Sequence, residues 1–152
     1  MTFAYCWCKN LTKAVCGPNV TTMFDAYENA RKITTAVCGP NVINMSSTYT
    51  NCVNIQGSTY FYSSSINNVS GCFNNRYTNR RLNVYVPINT TTSSTVMCNN
   101  TYSLVRNSIT WTNDYATNGC YYNTYYNIYI YPVANIEATR IANGDPDYMG
   151  NM

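Results

Sequence analysis

Cysteine is the most chemically capable residue in this chain. Cys6, Cys8, Cys16, Cys38, Cys52, Cys72, Cys98 and Cys120 are spread over 152 residues, with no histidine anywhere. A thiol can act as a nucleophile, bind a metal or form a disulfide. Nucleophilic use generally needs a neighbouring base, most often histidine, which is missing. Structural zinc sites favour closely spaced pairs, and only Cys6 and Cys8 are close, with no second pair. Disulfide bonding is the favoured reading, with free thiols the main alternative. All eight are disulfide candidates, and disulfides imply an oxidising, exported setting. No catalytic residue, metal or cofactor is expected. The chain reads as a non-enzyme, because the missing histidine removes Ser-His-Asp and Cys-His catalysis together.

Other side chains carry weaker signals. Asn-x-Ser/Thr sequons at Asn10, Asn19, Asn44, Asn68, Asn89 and Asn99 are possible glycosylation sites. Chance placement alone gives about five, given 24 Asn and 31 Ser plus Thr. Arg76, Arg80 and Arg81 form the one basic cluster. It reads as a solvated strand end, the alternative being a grip on phosphate or acidic sugar. Asn143 to Asp147 places oxygen ligands at alternating positions, as a calcium loop begins. Tyr148 stands where that loop needs glycine, so a polar tail is the better reading.

Charged residues make up 10% of the chain and the net charge is +3, against a usual charged fraction of about 25%. The mild positive charge gives no nucleic-acid signal. Asn (24), Thr (20) and Tyr (16) dominate instead. A wall of amides, hydroxyls and phenols does little to repel copies of itself. No stretch approaches the ~20 apolar residues of a membrane span. Residues 1–8 lack the basic start and long apolar core of a signal peptide.

A duplication stands out. Leu11 to Val20 recurs 22 residues later as Ile33 to Val42, sharing Ala-Val-Cys-Gly-Pro-Asn-Val, and Met23 and Met45 extend the match. A third copy near residue 55 is missing, which suggests a local duplication, since solenoids need about three units or more. Each Gly-Pro-Asn-Val fits a β-turn.

Around this duplication the pattern predicts a mainly β fold. Phe24, Tyr27, Ala30 and Ile33 recur at helical spacing, so one short helix is expected near residues 22–33. Leu82, Val84, Val86 and Ile88 alternate as a strand, with Pro87 marking an edge or an end. Residues 95–98 and 102–105 suggest a hairpin, and Ile109 with Trp111 a short strand. Residues 120–131 read as one long strand, 133–141 as another, and 113–119 as a turn. Short strands at this spacing suggest an antiparallel β-sandwich, Ig-like or jelly-roll-like and disulfide-stabilised. Expected boundaries are an N-terminal strand at 1–9, open to exchange with a neighbouring subunit, a β-rich domain at 10–142, and a polar tail at 143–152.

Phe3, Tyr5 and Trp7 would share one face of that first strand, and Tyr121, Tyr125, Tyr129 and Tyr131 one face of the long strand. These seven are the subunit-interface candidates. Added strands of this kind propagate head to tail. The expected function is therefore a structural subunit of an extracellular, cell-surface filament, pilus-like, whose partners are copies of itself. The alternatives are a secreted carbohydrate-binding or adhesin module, with glycans as partners, and a viral coat or spike protein.

Overall fold

The computed structural model describes residues 1–88 and 111–148. Its strands are β1 (Lys13–Val15), β2 (Thr35–Cys38), β3 (Gly57–Phe61), β4 (Leu82–Pro87), β5 (Thr112–Asp114), β6 (Cys120–Asn123) and β7 (Ile128–Val133). Two helices accompany them, α1 (Tyr115–Asn118) and α2 (Ile136–Ala142). All seven strands lie in one sheet of order β1-β2-β3-β4-β7-β6-β5. Pairings from β1 through β4 to β7 are parallel, and only the β7-β6-β5 end is antiparallel. The mainly β expectation holds. The two facing antiparallel sheets of a sandwich do not form among the described residues.

The parallel register follows from the duplication. Lys13 pairs with Thr35, Ala14 with Ala36 and Val15 with Val37, so the two copies lie side by side in register. Between strands the chain makes a complete coil and returns one strand further along. A second ladder runs through the turns of these coils. The amides of Phe3, Tyr5 and Trp7 donate to the carbonyls of Phe24, Ala26 and Glu28. Those of Asp25, Tyr27 and Asn29 donate to Ser46, Thr48 and Thr50, and those of Ser47, Tyr49 and Asn51 to Ser70, Cys72 and Asn74. Four turns are thus stacked, and the molecule is a short solenoid whose coils each touch their neighbours.

Equivalent residues form columns. Phe3, Asp25, Ser47 and Gly71 share a left-handed backbone, as do Trp7, Asn29, Asn51 and Asn75. Asn and Gly tolerate that conformation, whereas bulky residues do so at a cost. Tyr5, Tyr27, Tyr49 and Phe73 stack with successive centroids 5.2, 5.6 and 5.4 Å apart. Each such contact contributes about 0.5–1.5 kcal/mol beyond area burial. The buried Tyr49 hydroxyl has no partner among the described residues, so the ring and not its oxygen holds this column. Coils approach closely at the repeated glycines: a Cβ on Gly39 would lie 2.7 Å from the Gly17 carbonyl oxygen and 2.8 Å from that of Cys16.

Several expectations are corrected. Residues 22–33 are not a helix, because the Tyr27 and Asn29 amides bond to the next coil and not to the preceding turn. Positive φ at Asp25 and Asn29 also excludes helix there. The apolar spacing that suggested a helix reflects a turn with one face in the core. Residues 1–9 form turns and no strand; the segment is the first coil of its own chain. The strand expected over 120–131 breaks at residues 124–127 into the β6–β7 hairpin, with Asn127 at φ 54°. Residues 113–119 hold part of β5 and helix α1, and 133–141 holds most of α2 where a strand was expected. Asn135 caps α2 by accepting from the Ala138 amide. Pro87 ends β4 as expected, but β4 lies inside the sheet between β3 and β7. Ile88 is exposed, while Leu82, Val84 and Val86 are buried. The hairpin expected over 95–105 and the strand at Ile109 fall outside the described residues; Trp111 is in no strand.

Arg76 closes the core. Among the described residues it is the largest fully buried side chain, and no carboxylate is among its partners there. Its Nε and Nη2 donate to the Ile55 carbonyl at 3.2 and 2.6 Å. Nη2 also donates to Arg80 O at 2.7 Å, and Nη1 to Tyr126 O at 2.6 Å. The reading of Arg76 as a solvated strand end is therefore overturned, because one guanidinium ties the third coil to the β6–β7 turn. Replacing Arg76 with Met strands three carbonyls, each costing about 1–3 kcal/mol when buried and unpaired. Urea unfolding is expected to show Arg76→Met destabilised by about 3–5 kcal/mol. A loss below about 1 kcal/mol would contradict this role.

Candidate functional site

The expected site residues divide among the core, the two ends of the solenoid and the outer face of the sheet. The cysteines belong to the core. The seven described cysteines are free thiols, so no disulfide joins any two of them, and Cys98 lies outside the described residues. Cys16, Cys38, Cys52, Cys72 and Cys120 are buried, and Cys6 and Cys8 half-buried. They act as small apolar residues in the coil columns. Cys16 and Cys38 repeat each other because the coils do.

Burial pushes the Cys16, Cys38 and Cys72 thiols up, and takes Cys52 up to about 12. It likewise raises Tyr27 and Tyr49. Tyr60 is pushed up to about 12, by burial first and then by its hydroxyl donating to Asp145 at 2.5 Å. None of these groups is ionised near neutrality, and no thiolate nucleophile forms at them.

The sequons are treated unequally by the coils. Asn10 and Asn19 are exposed. Asn44 and Asn68 are half-buried in a ladder with Thr22, and their side-chain oxygens accept from the amides of Ser46 and Ser70. Asn89 and Asn99 lie outside the described residues.

Of the interface candidates, Phe3, Tyr5 and Trp7 are exposed at the N-terminal end of the turn ladder. In the equivalent turn of the next coil, the Ala26 and Glu28 carbonyls receive Tyr5 and Trp7; no backbone amide among the described residues donates to Ala4 or Cys6. Beside Trp7, a cavity of 320 Å³ is lined with Lys9, Arg31 and Lys32. Tyr125 lies in the β6–β7 turn, beside the last described coil. It meets Tyr77 edge-on at 5.8 Å and Tyr126 at 5.1 Å, next to the turn that Arg76 ties down. Both Tyr77 and Tyr125 are exposed.

Tyr121 does not share a face with Tyr129 and Tyr131, because the hairpin reverses the alternation, and Tyr125 lies in the turn between the strands. Tyr122 pairs with Tyr129 and Tyr121 with Ile130; Tyr121 stacks on Tyr115 of α1 at 5.7 Å. The outer face of the sheet carries a tyrosine row that sequence reading missed, Tyr60–Tyr85–Tyr131, with centroids 5.2 and 5.3 Å apart. The signal for it was present as Tyr-x-Tyr alternation, but which strands stood side by side was not. Helix α2 covers one end of this row. Tyr62 donates to Glu137 at 2.9 Å, Glu137 pairs with Arg140, and Asn143 donates to the Tyr60 hydroxyl at 3.0 Å. The described part, 143–148, of the tail expected at 143–152 is thereby docked.

At the other end of the row the sheet opens into a cavity of 540 Å³, lined by Arg81, Asp114, Asn118, Cys120, Tyr122, Thr124, Tyr129 and Tyr131. The Arg81 guanidinium lies 3.7 Å from the Tyr129 ring centre, a cation–π contact. Its Nη2 donates to the Tyr131 hydroxyl at 2.7 Å. Burial, and then Asp114, push the Cys120 thiol up, so it enters the cavity wall protonated.

Comparison with protein-family models, curated proteins and solved structures finds no match for this chain. The chemistry of these surfaces therefore carries the functional reading.

One consequence is a distinctive pH response. With no histidine, nothing with an unperturbed value between pH 5 and 8 sits among the side chains. The buried thiols and phenols hold their protons more tightly folded than unfolded. Their stabilisation is full below the ordinary values of 9.0 and 10.0 and is lost as pH rises toward the raised folded values, near 12 for Cys52 and Tyr60. Urea midpoints should agree at about pH 5.5 and 7.5 and fall steadily above about 9. A midpoint that changes between the first two, or holds level to about 10.5, contradicts this assignment.

Proposed function

We propose that this chain is a structural subunit that joins other copies end to end through its stacked turns, building a filament. One observation carries the reading. Five of the nine large apolar side chains exposed among the described residues fall in two groups, one at the first coil of the turn ladder and one beside its last described coil. Phe3, Tyr5 and Trp7 make up the first, and Tyr77 and Tyr125 the second.

The backbone supports the same contact. Ala4 and Cys6 present carbonyls at a ladder end, where the fold elsewhere supplies an amide from the adjoining coil. Unpaired ladder ends recruit further chain unless they are blocked by charge, proline or a cover. Because the two ends differ, each junction leaves a free head and a free tail, and such contacts propagate without closing. The low charge of the chain lets this happen with little repulsion. Export was expected on the strength of disulfides; with the described thiols unbonded, the proposal concerns the joining of subunits alone.

Two charge substitutions test it. The full chain should sediment as a concentration-dependent series of rods. Trp7→Asp at the head and Tyr125→Asp at the tail should each stop growth. Mixed in equal amounts, the two variants should form dimers and no longer species, since each keeps one intact end. A wild-type chain that stays monomeric at about 1 mM overturns the proposal, and so does growth that survives both substitutions.

A further inference from the structure

We infer that the cavity on the outer face of the sheet is a binding site for a neutral pyranose oligosaccharide, separate from the end-to-end contact. The cavity volume, 540 Å³, is in the range of small-ligand sites, about 300–1,000 Å³. Its chemistry then selects the ligand. Arg81, Tyr129 and Tyr122 form one stack, with the guanidinium 3.7 Å from the Tyr129 centre and the two rings 5.4 Å apart at 20°. Tyr129 has a neighbour on each side. Tyr122 ends the stack, and it lines the cavity. An aromatic ring in the wall of a cavity suits the flat, C–H-bearing face of a sugar ring.

Polar groups surround that ring at hydroxyl-binding positions. The Asp114 carboxylate accepts from Asn118 Nδ2 at 2.6 Å, which fixes both groups and leaves the carboxylate with further acceptor capacity and the amide with its own oxygen. Arg81 commits Nε to Asn83 at 2.8 Å and Nη2 to the Tyr131 hydroxyl, so among the described residues Nη1 is left to donate to a ligand. One donor cation, one acceptor anion, an amide and phenols match the mixed donors and acceptors of vicinal hydroxyls. The opposite charges of Arg81 and Asp114 balance, which favours an uncharged ligand over an anionic one. A purely apolar ligand would leave these groups unpaired, at a cost.

Tyr122, Asp114 and Asn118 stand on β6, β5 and α1 at the antiparallel edge of the sheet. None of the head residues enters the cavity, whose nearest approach to the other contact is Thr124 beside Tyr125.

Titration of the full chain with maltotriose, cellotriose and mannotriose, followed by NMR amide shifts, tests the inference. At about 10 mM sugar, at least one is expected to shift the amides of residues 114, 118 and 122 saturably. Tyr122→Ala and Asn118→Ala should each weaken that binding about tenfold or more. Trp7→Asp should leave it unchanged, which separates this result from the assembly test. Asn118 is exposed on a short helix, so its variant keeps the test readable if Tyr122→Ala fails to fold. No shift with any of the three sugars overturns the inference, as does binding that both variants leave intact. Binding of only an anionic probe, a hyaluronan hexasaccharide, would overturn it in favour of an anion site on Arg81.

Discussion

A coil that stacks on a copy of itself must set each residue against its counterpart, strand spacing away, about 4.8 Å. That in-register constraint governs the rest of this molecule. Like charges facing each other across adjacent strands destabilise, whereas amides, hydroxyls and rings can bond to their own kind. The columns here use them in that way. Asn51 donates to Asn29 at 2.9 Å, and the Thr34 and Ser46 hydroxyls donate to carbonyls of neighbouring coils. Thr48 Oγ1 lies 2.8 and 2.7 Å from the carbonyls of Met23 and Met45, a proton serving either coil. Tyr5, Tyr27, Tyr49 and Phe73 stack ring on ring. A composition rich in Asn, Thr and Tyr and poor in charge is what such columns need. The preference for self-contact that composition suggested is satisfied first within the chain.

The same constraint explains what the sequence disclosed and what it hid. The 22-residue duplication gave the coil length directly, and the register of β1 on β2 reproduces it residue by residue. The third coil was hidden because it grew. Ser47 to Gly71 and Asn51 to Asn75 are each 24 residues apart, and the β2–β3 register of Val37 on Tyr60 is already offset by one. Identities vanished while the physical pattern survived: Ile33 recurs as Ile55, Tyr27 as Tyr49 then Phe73, Asn29 as Asn51 then Asn75. The turns were mistaken for a helix because a turn with one face in the core can mimic helical spacing over a dozen residues. The β4 alternation of Leu82, Val84 and Val86 was legible because burial on one face leaves a period of two. The cavity was not legible, since Arg81, Asp114 and Tyr122 meet only through the β7-β6-β5 order.

The thiols changed meaning for the same reason. Eight cysteines in a short chain suggest cross-links, yet columns of small residues favour thiols as packing groups, and free Cys is among the most buried residue types. Cys38 and Cys72 have no exposed surface. Coil-on-coil hydrogen bonding, continuous from the first turn to the Arg76 clasp, does the joining that disulfides were expected to do. The exposed rings of Phe3, Tyr5 and Trp7 are where that column begins, and the tyrosine row on the outer face is the same stacking rule expressed across the sheet.

Amide hydrogen exchange, resolved residue by residue, tests this account most directly. The amides of Tyr27, Asn29, Tyr49 and Asn51 belong to turns, and turns without cross-coil bonds exchange quickly. Interior ladder rungs should instead be protected as strongly as the amides of Val37 and Val84 in the sheet. Rapid exchange at those four positions, with the strands still protected, would show that the turns are not stacked, and the solenoid would be wrong.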